Sequence, residues 1–74
     1  MDPAAHKFET AHRLMRQSNG GDNLERAAHL MKEAADLGHA GAANNYGAMV
    51  QHGRGVEPDL AEARTYYAQA AKSG

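Results

Sequence analysis

Small and apolar residues recur along this chain at helical spacing, and glycine-rich or polar breaks separate the runs. Phe8, Ala11, Leu14 and Met15 predict a first helix from Pro3 to Ser18. Asp2 fits its N-cap, and Pro3 fits the first helical position. Asn19-Gly20-Gly21 ends it. Leu24, Ala27, Met31, Ala34 and Gly38 form the stripe of a second helix, Asn23 to Leu37, widened by Leu30 and Leu37. Asp22 or Asn23 caps it, with Asp22 and Glu25 spaced as a capping box. Ala40 to His52 reads as a third helix of weak propensity, because Gly41, Asn44, Asn45 and Gly47 all disfavour helix. Tertiary contacts must hold it. Gly53-Arg54-Gly55 ends it, and a fourth helix runs from Asp59 to Lys72 with Asp59 and Glu62 as its capping box. Its stripe is Leu60, Ala63, Tyr67, Ala70 and Gly74.

The second and fourth stripes are one pattern shown twice. A shift of 36 residues lays Leu24 on Leu60, Ala27 on Ala63, Ala34 on Ala70, Ala35 on Ala71 and Gly38 on Gly74. It also lays Leu30-Met31 on Tyr66-Tyr67, Asn23 on Asp59, Ala11 on Gly47 and Leu14 on Val50. Caps, stripes and stops therefore repeat together. Two helices per period of this length predict a helical solenoid.

Composition changes the picture of the core. Apolar residues make up 42% of the 74, yet sixteen of them are alanine, and there is no Ile or Trp. The core must be thin, with backbones in close approach. Few β-branched residues and many alanines favour an all-α fold. The absence of cysteine excludes disulfide scaffolds, thiolate metal sites and thiol nucleophiles. No run of residues is long and apolar enough for a membrane span, and the acidic Met1-Asp2-Pro3 start does not read as a signal peptide. A cytoplasmic location is the expectation. A net charge of −1 offers no footprint for nucleic acid.

The stretch from His39 to Val56, followed by Asp59, Ala63, Tyr66, Tyr67, Ala70, Ala71 and Gly74, resembles a Sel-one-like repeat, a relative of the tetratricopeptide repeat. Gly47, Gly53, Gly55 and Val56 match the Gly and Gly-x-Gly-Val positions of that pattern. Tyr46 stands where the family has Leu, and Val50 where it has an aromatic. The resemblance is strong over 22–74 and weaker over 1–21, which lacks the Gly-x-Gly-Val turn. It implies a short right-handed α-solenoid of about two repeats and four antiparallel helices. In that frame 1–21 is a degenerate capping helix, 22–38 the second helix of a first repeat, and 39–74 a complete repeat.

The resemblance also implies a non-enzymatic interaction scaffold or adaptor of a kind common in bacteria, with a concave face built by the first helix of each repeat. Carried onto this chain, that face holds Asn44, Ala48, Gln51 and His52, and one repeat earlier Phe8, His12, Met15 and Arg16. Phe8 and Met15 can equally turn into the core. The expected partner is a protein or peptide, without membrane or nucleic acid. A small stoichiometric inhibitor or immunity-type protein is an alternative, and a self-assembling unit is another. Two repeats leave both solenoid ends thinly covered, which admits a homodimer.

Other candidate chemistry is weaker. His6, His12, His29, His39 and His52 show no i, i+4 pair and no accompanying carboxylate set, so no metal and no cofactor is expected. Protonating all five moves the charge from −1 to +4, a reason to expect pH-sensitive association. Gly53-Arg54-Gly55 lacks the Lys-Ser/Thr of a phosphate loop and reads as a turn. Of Tyr66 and Tyr67, stripe position assigns Tyr67 to the core and leaves Tyr66 open. No residue set supports catalysis.

Overall fold

A computed structural model describes residues 2–17 and 21–73. Four helices follow one another: α1 (Pro3–Arg16), α2 (Gly21–Asp36), α3 (Ala40–His52) and α4 (Leu60–Ser73). Each packs on its neighbour in sequence, α1 on α2, α2 on α3 and α3 on α4. The result is all-helical, a short helical-repeat solenoid made of two helix pairs.

Local chemistry sets the helix ends. Asp2 Oδ1 accepts the Ala4 amide at 3.0 Å, and Pro3 opens α1. Asp59 Oδ1 accepts the Glu62 amide at 3.1 Å at the head of α4. After α2 the chain turns at Gly38, whose φ is +99°. There the His39 amide reaches Ala34 O at 3.1 Å and the Gly38 amide reaches Ala35 O at 2.9 Å, a Schellman closure. The expected cap of α2 differs: Asp22 lies inside its first turn, where an acidic group favours the helix dipole. Ser18, Asn19 and Gly20, expected as the end of the first helix and its break, lie outside the described residues.

The core is small and close-packed, as the alanine content requires. Ala11, Ala27, Ala34 and Ala42 are fully buried and let the helices approach, while Met31, Met49 and Val50 supply volume. α3 lies between α2 and α4 and buries Ala42, Ala43, Tyr46, Gly47, Met49 and Val50. That burial on two sides compensates its poor propensity. Tyr46 and Val50 both sit inside, so the two departures from the family pattern are accommodated by packing.

The stripe of α4 is rotated from the expected one. Tyr66 is buried, Tyr67 is only half-buried, and Leu60 is 61% exposed. Leu37, expected to widen the α2 stripe, is 55% exposed. The Tyr66 ring meets Tyr46 edge-on at 4.7 Å, and its hydroxyl donates to Asp36 Oδ1 at 3.0 Å. This contact with the end of α2 selects Tyr66 over Tyr67 as the core residue. Leu60, at the first position of α4, stays out in solvent.

Burial, aided by the Asp36 carboxylate, pushes the Tyr66 phenol above its ordinary range. Burial, with Glu62 and Asp36 nearby, does the same for Tyr46. A raised phenol pKa contributes stability that is complete below the unfolded value and lost as pH rises past it. Urea unfolding should therefore show stability falling once pH exceeds about 10. Tyr66→Phe has no phenol to ionise at this position and should flatten that fall.

Candidate functional site

The eight residues expected on the concave face fall into two sets of four with identical spacing. Phe8, His12, Met15 and Arg16 lie on α1, and Asn44, Ala48, Gln51 and His52 lie 36 positions later on α3. His12, Arg16, Asn44, Gln51 and His52 are exposed, whereas Phe8, Met15 and Ala48 are half-buried. Phe8 and Met15 both pack against the core cluster.

Phe8 is the organising side chain of the first set. Its ring stacks on His39 at 4.4 Å and 22°, and on His12 at 5.7 Å and 30°. It also reaches α3, since a Cβ added to Gly41 would lie 3.6 Å from its Cε1. Phe8 thus joins the two helix pairs and keeps part of its ring at the surface. Phe8, His12 and Arg16 line a shallow cleft of about 340 Å³ with Glu9 and Arg13. Two arginines against one glutamate give its rim a positive balance. The α3 residues are outside this cleft. Gln51 accepts a hydrogen bond from the Tyr67 hydroxyl at 2.8 Å, which orients both side chains on the α3–α4 surface.

His39 has a structural role that neither the metal nor the charge reading of the five histidines foresees. It is the N-cap of α3, its Nδ1 accepting the Ala42 amide at 3.0 Å, while its ring supports Phe8. Its position directly after the helix-ending Gly38 was the available signal. His39→Ala should cost about 1 kcal/mol from the cap alone. His39→Asn restores a cap without the ring. Thermal unfolding of both variants should show the alanine protein melting lower, by roughly 4–8 °C.

Among the described residues no group of three or more His, Asp or Glu is placed to hold a metal ion. Gly53-Arg54-Gly55 forms the turn between α3 and α4, with Gly53 and Gly55 at positive φ. No described helix is long and apolar enough to cross a membrane.

Stacked antiparallel helix pairs with an exposed helical face define a helical-repeat interaction module. The Sel1 repeat family model matches residues 10–39 and 40–74, all but the first nine, and the chain belongs to that family. Sel1 repeats are in general protein-interaction modules. No curated protein and no solved structure matches the chain.

Proposed function

We propose that this protein is a non-enzymatic adaptor whose α1–α3 face binds a segment of another protein, and that the α1 cleft selects an acidic segment. The observation that carries this reading is the Phe8 ring, held between His12 and His39 and rimmed by Arg13 and Arg16. A ring locked by stacking loses little entropy on binding, and guanidinium groups recognise carboxylates in pairs. Exposed Asn44 and His52 extend the same register on α3 and offer further hydrogen-bonding groups. The first helix acts in this reading as a capping helix that also carries the binding residues.

Selection from a displayed peptide library tests it. Recovered peptides should be enriched in Asp and Glu, and their affinity should fall about tenfold with Arg16→Glu, at roughly 1.4 kcal/mol. Arg16 is exposed, so this change leaves the fold intact. Peptides that bind Arg16→Glu and Arg13→Glu proteins as well as the parent would reject the cleft.

A further inference from the structure

The 36-residue register identifies the surface by which one helix pair stacks on the previous one. In the second pair that surface carries Ala43, Tyr46, Val50 and Tyr66, all buried. It is covered by α2: Asp36 accepts from Tyr66, and the Ala35 carbonyl accepts from the Gln69 amide. The corresponding residues of the first pair are Lys7, Thr10, Leu14 and Leu30. All four are only half-buried.

This outer face is divided. At one end Lys7 Nζ binds Glu33 Oε1 at 3.0 Å, and His29 Nε2 lies 3.3 Å from Glu33 Oε2. The Lys7 ammonium beside it holds the Glu33 carboxyl below its ordinary value. These charged groups occupy one edge of the face. The rest stays apolar: a groove of about 530 Å³ runs between α1 and α2, lined by Thr10, Leu14, Glu25, Arg26, His29 and Leu30. Thr10 and Leu30 replace two tyrosines of the second pair, and the smaller side chains leave this space open.

The opposite end of the stack does not complement the groove. Phe8, Met15 and Ala28 of the first pair pack into the core, whereas the residues 36 positions later in the second pair are the exposed Asn44, Gln51 and Arg64. Setting that end on Leu14 and Leu30 would strand a guanidinium on an apolar floor. Head-to-tail growth is thereby disfavoured. The groove does complement itself. Glu25 and Arg26 are adjacent, exposed and opposite in charge on its rim. A two-fold contact that sets Glu25 against Arg26 of the other copy forms that pair twice, once on each side of the axis. With a net charge of −1, two copies repel little.

We propose that the α1–α2 groove is the contact surface of a symmetric head-to-head homodimer, with Leu14 and Leu30 of both copies at its centre and reciprocal Glu25–Arg26 pairs at its edges. This leaves the Phe8 cleft free on each copy and does not depend on the peptide-binding reading. Sedimentation velocity across a wide concentration range tests it. The mass should double with concentration and stop at the dimer. Glu25→Arg and Arg26→Glu should each weaken association about tenfold by placing like charges together. The double exchange Glu25→Arg/Arg26→Glu should recover it, which only a reciprocal contact does. Both positions are exposed, so neither change threatens folding. Leu14→Glu, checked for helicity by circular dichroism, should leave a monomer. Arg16→Glu should leave the dimer intact. A monomer at every concentration, growth beyond the dimer, or a dimer indifferent to the charge exchanges would each overturn the proposal.

Discussion

Gly55→Ala is expected to cost about 3 kcal/mol or more, a large part of the roughly 4–11 kcal/mol that a domain of this size holds. Two separate effects add. Gly55 has φ +78°, where an alanine is strained by roughly 1–2 kcal/mol. An added Cβ would also lie 2.7 Å from the carbonyl carbon of Leu24 and 3.2 Å from the amide nitrogen of Glu25. Those atoms are backbone in the first turns of α2, and no rotamer change relieves the overlap. The α3–α4 turn must lift off α2, taking part of the contact between the helix pairs with it. Gly38→Ala is the matched control, because Gly38 has φ +99° but no atom within 4 Å of an added Cβ. It should lose only the conformational term. Urea unfolding of both variants separates the two effects. Equal losses would show that the turn does not bear on α2.

Gly47→Leu should cost about 3 kcal/mol, at the upper end of ordinary overpacking. The Cβ alone would lie 3.1 Å from Tyr67 Cδ1 and Cε1 and 3.3 Å from Ala63 O. The Tyr67 ring is half-buried and can yield a few tenths of an ångström, whereas the Ala63 carbonyl belongs to α4 itself. Leucine adds three further carbons to the same gap and forces α3 and α4 apart. Gly47→Ala sets this crowding against a helix-propensity gain of about 1 kcal/mol and should stay close to the parent. A melting temperature lowered by more than about 10 °C for leucine, with little change for alanine, is the expected pattern. An unchanged leucine variant would show that this helix contact is looser than its geometry.

These two glycines mark the limit of what a single chain discloses. Gly47 was readable as a point of close helix approach, because it repeats Ala11 at a stripe position. Gly55 was readable as a turn residue, yet its seat on Leu24 joins segments about thirty positions apart and leaves no local trace. The phase of α4 differs from the expected stripe for a similar reason. Leu60-Ala63-Tyr67 and Ala63-Tyr66-Ala70 both satisfy helical spacing. The choice between them depends on Asp36, at the end of another helix, which receives the Tyr66 hydroxyl. Phe8 stood open between groove and core, and the structure gives it both surroundings: stacked on His12 and His39, packed to the cluster, partly exposed.

By itself the sequence determined four helices, most of their ends, the 36-residue repeat and the family it announces. Those features arise from capping side chains, helical periodicity and glycine turns, which act over a few residues. The tertiary structure alone decided which tyrosine enters the core and which leucines remain outside. It also decided where Phe8 and His39 meet and how the first helix pair ends in an apolar groove beside an ion pair. Side chains on successive turns are equivalent until a second helix lies against one of them, and its position depends on the whole packing.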